Sequence, residues 1–304
     1  MKIFAHRKFL LFVFSFFIAL STFATAPIKA LIITGQNNHN WQVSHVVLKN
    51  IMENSGLFTV DFSISPKHGE KMNNYIIDFS PYQLVVLDYN GDNWPKTTQD
   101  RFLEYVRNGG GVVVYHAANN AFTDWVEFNK IIALGGWNNR NESSGPWVYW
   151  KDNKLVRDNS PGVGGSHGQQ SEYVLNARNT KHPIVKGLPP KWKHGKDELY
   201  DRMRGPGDIK DLLYTAYSEP SLGGSDREEP LIFTVEYGKG KIFHIMLGHA
   251  GDSPENNPSM QCTGFQVLLL RGSEWAATGK VTQPVPKDFP TATSASFRKD
   301  YKAP

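Results

Sequence analysis

Three short aliphatic runs set the limits on how this chain can fold. Ala30-Leu-Ile-Ile-Thr34, Leu84-Val-Val-Leu-Asp88 and Gly111-Val-Val-Val-Tyr115 are continuous rather than alternating. Strands of that kind are buried on both faces. Between the first two, Val43, Val46, Val47, Ile51 and Met52 recur at helical spacing until Ser55-Gly56, and Phe58 to Ile64 then alternates like a strand. Between the second and third, Thr97 or Thr98 is placed to cap a helix carrying Phe102, Leu103 and Val106, which Asn108-Gly109-Gly110 ends. Strands joined through helices need crossover connections, and crossovers make neighbouring strands parallel. The pattern predicts an α/β fold: a doubly wound, mostly parallel sheet with helices on both faces.

The rest of the chain is less regular. Residues 137–171 are rich in Gly, Asn, Ser, Trp and Tyr and show no sustained period, apart from a hairpin expected at Tyr149 to Leu155 with Asp152-Asn153 as its turn. Loops of this length in a compact domain are usually lids or binding walls. Strand signals return at Glu172 to Leu175, Leu212 to Tyr217, Leu231 to Glu236 and Lys241 to Leu247, with Gly238-Lys-Gly240 turning between the last two. Cys262 to Trp275 reads as a closing helix. Beyond Lys280 the chain has four prolines and no period. The expected organisation is a secretory signal at 1–26, one α/β domain at 27–280, and a tail at 281–304 that wraps the surface or is disordered.

The signal rests on Lys2, Arg7 and Lys8, the apolar run Phe9 to Leu20, and Ala24-Thr25-Ala26 as a cleavage candidate, with a cut after Ala24 as the alternative to one after Ala26 because Pro27 follows. The run is too short for a bilayer span of about twenty residues. These features predict a periplasmic or secreted protein with no stable membrane insertion after cleavage. The segment holds three of the 33 basic side chains and no acidic one, leaving 30 against 29 in the remainder. A near-neutral protein has no electrostatic footprint for nucleic acid or anionic lipid. The single cysteine, Cys262, excludes an intramolecular disulfide and any multi-cysteine metal site. It also lies far from any strand-to-helix turn, which argues against cysteine amidotransferase or protease chemistry.

Open parallel sheets bind ligands outside the carboxyl ends of their strands. His39 and Trp41 follow the first strand, Asn90 follows the third, His116 and Asn119 follow the fourth, and His249 follows the last. His116 holds the tight turn where such folds often present a nucleophile; an imidazole there suits proton transfer or metal ligation. His167, in a Gly-rich loop, has the reach to join this edge. His244 reads as a hydrogen-bonded core residue, and His182 as the brace of a turn. Two histidines with a carboxylate would suit a divalent metal with open positions, as would His39 with His116 and His249.

Five segments in order resemble the ThuA-like (trehalose-utilisation) family: Gly-Gly-Gly-Val-Val-Val-Tyr-His-Ala-Ala at 109–118, Lys-His-Pro-Ile-Val-Lys-Gly-Leu at 181–188, Asp-Glu-Leu-Tyr at 197–200, residues 237–249 ending Met-Leu-Gly-His, and Glu-Trp-Ala-Ala at 274–277. The resemblance implies a fold similar to class I glutamine amidotransferases without their cysteine. It also implies a link to carbohydrate catabolism through disaccharides, glycosides or keto-sugars. Carried over onto this sequence, the motifs bring His116, His182, Glu198, Tyr200 and His249. The expected catalytic set is therefore His116, Glu198 and His249, with His39, Trp41, Asn90, Asn119, His167 and Tyr200 meeting a small carbohydrate. If 197–200 is extended, Glu198 and Tyr200 point one way while Asp197 and Leu199 point the other. Trp137, Trp147, Tyr149 and Trp150 are candidates for stacking on sugar faces, with Asn138, Asn139 and Arg140 at its hydroxyls; the same aromatics would equally anchor a long loop. A non-catalytic carbohydrate-binding protein and an amidotransferase-like scaffold stand as alternatives to an enzyme.

Overall fold

The computed structural model describes residues 26–301, so the signal segment, apart from Ala26, lies outside the described residues. The first half runs β1 (Ile28–Thr34), α1 (Trp41–Asn54), β2 (Phe58–Ile64), β3 (Leu84–Leu87), α2 (Lys96–Arg107), β4 (Gly111–Tyr115) and α3 (Val126–Ile132). The second half is mostly strand: β5 (Trp147–Lys151), β6 (Lys154–Asp158), β7 (Ser166–His167), β8 (Val174–Ala177), β9 (Lys191–Lys193), β10 (Tyr200–Asp201), β11 (Asp211–Ser218), β12 (Arg227–Tyr237) and β13 (Gly240–Ile245). Helices α4 (Pro258–Gln261) and α5 (Thr263–Thr278) follow. Among the described residues no helix is long and apolar enough to cross a membrane.

One mixed sheet organises the α/β domain, in the order β2-β1-β3-β4-β13-β12-β11-β8-β9. The pairs β1–β2, β1–β3, β3–β4 and β4–β13 are parallel. Every residue of β3 and β4 is buried, as the unbroken aliphatic runs require. Each such Val or Leu contributes about 1.5–3 kcal/mol of burial. Beyond β13 the sheet changes character: β12, β11, β8 and β9 are all antiparallel. The expectation of a mostly parallel sheet is corrected here to a half-parallel one. The cause is local: β12 and β13 are joined across Gly238-Lys239, with Tyr237 opposite Gly240, and a two-residue turn can only return the chain antiparallel.

Helix α2 begins at Lys96 behind Pro95, ahead of both expected caps; Thr98 is instead buried and donates to the Tyr75 carbonyl at 2.7 Å. Trp94, Phe102, Phe122 and Trp125 interlock between α2 and α3. Helix α5 is buried on nearly all sides, as its apolar sequence demands. Its Arg271 gives hydrogen bonds to the carbonyls of Pro183, Ile184, Lys186 and Gln283 at 2.7–2.8 Å. The motif at 181–188 is thus a structural cradle, with His182 packed on Trp275. The hairpin β5–β6 turns on Asp152 and Asn153, both in the left-handed region. Residues 281–301 lie along the body, where Phe289 is buried against Trp192.

Candidate functional site

The carboxyl ends of three of the parallel strands, β1, β4 and β13, each deliver one histidine to a single point. After β1, the 37–40 loop is shaped by Asp88, a buried carboxylate just past β3. Asp88 accepts from Thr34 Oγ1 (3.2 Å), Ser44 Oγ (2.6 Å) and Asn37 Nδ2 (3.1 Å), and Asn37 Oδ1 in turn accepts the His39 N–H (2.9 Å). Burial raises the Asp88 carboxyl to about 7 despite those donors. At the end of β4, His116 adopts φ 44°, a left-handed conformation that a non-glycine residue holds only when its surroundings enforce it. Enforcement comes from the Met246 carbonyl, 2.7 Å from His116 Nδ1, and from Tyr200, stacked at 4.5 Å between ring centres. After β13, Gly248 turns the chain at φ 102°, where a Cβ would collide with Phe265 and Tyr115, and so aims His249 inward.

The fourth contribution arrives from the far half of the chain. Strands β7 and β10 form a two-stranded ribbon with Tyr200 opposite His167. Tyr200 Oη lies 3.0 Å from both His39 Nε2 and His116 Nε2. Just before β10, Glu198 enters among the imidazoles with its two oxygens divided. Oε1 faces His249 Nε2 (3.3 Å), His167 Nε2 (3.7 Å) and the Gln170 amide (3.3 Å). Oε2 stands 3.6 Å from both His39 Nε2 and His116 Nε2 and has no hydrogen-bond partner. His39, His116 and Glu198 offer three ligand atoms that all lie within 4.8 Å of one another.

The electrostatics follow from this crowding. Burial would raise the Glu198 carboxyl, but the His116, His249 and His167 imidazoles outweigh it and hold it down at about 2. Burial and the neighbouring His116 and His249 push His39 down to about 3. His249 is lowered for similar reasons. His116 is raised: burial opposes its charge, but Glu198, Asp197 and the Met246 carbonyl favour it. Asp197 points the other way from Glu198, as alternation requires. It is fully buried and accepts from His194 Nε2 (2.8 Å), Gly248 N (2.7 Å), His249 N (3.0 Å) and Glu198 N (2.8 Å). Four donors on one carboxylate fix the loop that carries His249.

Of the residues expected at the site, His39, His116, His167, Glu198, Tyr200 and His249 come together. Three do not. Asn119 is buried in the core with its amide 3.2 Å from His244 Nε2, because the turn after β4 rotates it beneath the sheet edge. Asn90 is spent on the frame, bonding Asn38 and the Ala117 carbonyl. Trp41 rests on His45 and lines a neighbouring cleft with Asn37 and Asn38. From the aromatic insertion only Trp137 reaches the cluster, edge-on to Tyr200 at 4.7 Å. Trp147, Tyr149 and Trp150 each carry an arginine over the ring, so they anchor the loop. Arg140 is buried too, bonded to the carbonyls of Asn120, Ala121 and Gly136. Sequence reasoning missed His194 and the brace on Asp197; their spacing of three residues was the available signal. Cys262 is buried at the head of α5, and the turn after β4 is held by His116 instead.

A family model described as trehalose utilisation, ThuA, matches residues 29–276. No curated protein matches the sequence. The crystal structure of a ThuA-like protein from Parabacteroides merdae superposes with a TM-score of 0.91 at 72% identity, covering 92% of this chain and 100% of that one. A ThuA-like protein from Bacteroides uniformis shares the fold at 19% identity, with a TM-score of 0.53 over 86% of this chain and 96% of its own.

Proposed function

This chain belongs to the ThuA family, and on that premise we propose that it is an exported enzyme of carbohydrate breakdown working at Glu198. The substrate class is a glycoside, disaccharide or keto-sugar, processed by hydrolysis, elimination or isomerisation. One observation carries the reading: Glu198 is 7% exposed, yet its carboxylate stands among four imidazoles at the end of a parallel sheet. Packing supplies no reason for that concentration of ionisable groups, whereas proton transfer to and from sugar oxygens requires it. His249 and His167 are the more exposed members and would meet substrate. His116, Tyr200 and His39 form the floor. His249 also opens onto a polar cleft of about 370 Å³ lined by Gln170, Lys196, Asp252, Asn256 and Ser259, within the range of small-molecule sites.

The family premise also supports a doubly wound reading of the parallel half, in the manner of class I glutamine amidotransferases. Export rests on the basic start and apolar run of residues 1–26. N-terminal sequencing of the protein recovered from the periplasm or medium tests it: a start at 25 or 27 supports export, and an intact chain in the cytoplasm overturns it. For the activity, purified protein is offered disaccharides and their 3-keto forms with product analysis by NMR. A new sugar product supports the enzyme. Saturable binding without any product would instead support a carbohydrate-binding protein.

A further inference from the structure

We propose that His39, His116 and Glu198 bind one divalent first-row transition metal ion of the zinc or manganese type. This deepens the reading above, since it takes the same cluster as the working site. Four independent features point to it.

The first is the orphaned oxygen. Glu198 Oε2 belongs to a carboxylate more than nine-tenths buried, it is aimed between two imidazoles, and it has no hydrogen-bond partner. Buried acceptors left unmatched are rare, and a carboxylate oxygen more so. The second is spacing. At 3.6 Å, Oε2 is too far from His39 Nε2 and His116 Nε2 for a hydrogen bond. Ligand atoms around a zinc-like ion sit about 2.0–2.2 Å from it, hence about 3–3.6 Å from each other. The two separations from Oε2 therefore fit donors arranged around a point, and the two imidazole nitrogens, each bonded to Tyr200 Oη at 3.0 Å in this structure, would exchange that bond for the metal.

The third is the outer support of His116. Its Nδ1 is engaged by the Met246 carbonyl at 2.7 Å, the usual second partner of a metal-bound imidazole, and this aims Nε2 at Glu198. The strained φ at His116 holds that aim. The fourth is the donor set. Two imidazoles and one carboxylate, with His249 and His167 beyond them on the exposed side, leave positions open for water or a sugar oxygen. Such a set favours transition metals over calcium or magnesium, which take mainly oxygen ligands. Tyr200 Oη, between the two imidazoles, is placed to bond whatever occupies an open position.

The test uses the full mature protein without a polyhistidine tag, stripped with a chelator and titrated calorimetrically with ZnCl₂ and MnCl₂. One equivalent of at least one metal should bind. Glu198→Gln and His39→Asn should each weaken binding at least tenfold while circular dichroism and melting temperature of the stripped variants stay near the parent. His68→Asn, an exposed histidine outside the cluster, should bind as the parent does. Cobalt substitution supplies a second readout: visible d–d absorption that disappears in Glu198→Gln. Absence of stoichiometric binding, or binding unchanged in both cluster variants, overturns the metal. Sugar turnover that persists in chelated protein also overturns it while leaving the enzyme reading intact. Stoichiometric metal with no turnover of any sugar sinks the enzyme reading alone.

Discussion

His116 and Asp197 show how single residues set this site. His116 stands where the strand-to-turn geometry forces φ to 44°, a conformation that costs a side-chain-bearing residue about 1–2 kcal/mol and glycine almost nothing. Replacing it should therefore separate backbone strain from chemistry. His116→Gly is expected to melt above His116→Ala, by about 1 kcal/mol in unfolding free energy, although both lose the imidazole. Equal stabilities would mean the turn is relaxed and the strain argument is wrong. Asp197 acts one step behind the site: its carboxylate receives four donors, including the Gly248 and His249 amides. Asp197→Asn turns one acceptor oxygen into a donor facing N–H groups. We expect a loss of about 3 kcal/mol in chemical denaturation, with weakened catalysis from a loosened His249 loop. A variant as stable as the parent would remove Asp197 from the positioning role. The sequence showed Asp197 only as the neighbour that must face away from Glu198, because a strand pattern gives direction without saying what waits on the other side.

At the scale of elements, the ribbon of β7 and β10 matters most, since it carries Tyr200 and His167 to strands that are distant in the chain. Asp201, on the opposite side of the ribbon, accepts from Ser166 and from Ser218 Oγ, the latter at 2.7 Å, and pairs with Arg202. Glu229 of β12 lies beside this knot, accepting from Ser225 Oγ at 2.7 Å. Burial, with the nearby Asp201 charge, raises the Glu229 carboxyl from 4.5 to about 7. The sign follows directly. The folded state holds this proton more tightly than the unfolded chain, so its contribution is fully present below pH 4.5 and is lost as pH rises to about 7. Glu229→Gln keeps the shape and removes the titration. Its stability relative to the parent should climb between pH 5 and pH 8 by up to about 3 kcal/mol, from roughly 1.4 kcal/mol per pKa unit. Superimposable pH profiles would show that Glu229 is ionised in the fold. The pairing and the knot at Asp201 were not legible beforehand, although the reach of His167 and the direction of Tyr200 were: a two-residue strand is too short to leave a period, and its two pairs join residues 33 and 35 positions apart.

For the whole molecule, legibility followed the range of the interactions. The strands β1, β3 and β4 and their parallel order could be read because burial on both faces writes itself into consecutive residues. Two histidines at one sheet edge, His39 and His116, followed from that order, and His249 joined them by following the last strand. The antiparallel half was misjudged although its hairpin turn at Gly238-Lys239 was in view; a two-residue connection and a mostly parallel sheet contradict each other, and the turn should have prevailed. Asn119 failed for a finer reason, since position after a strand fixes the neighbourhood of a residue but not the rotation of its side chain. The central claim joins these scales: a sheet edge, a distant ribbon and a braced loop converge so that Glu198 can act on a sugar. The most direct measurement is kcat/KM of Glu198→Gln against the parent on whichever sugar the parent converts, with melting temperatures recorded alongside. The account predicts a fall of at least a hundredfold with little change in melting temperature. Full activity in that variant, or a collapse of stability that accounts for the loss, would contradict it.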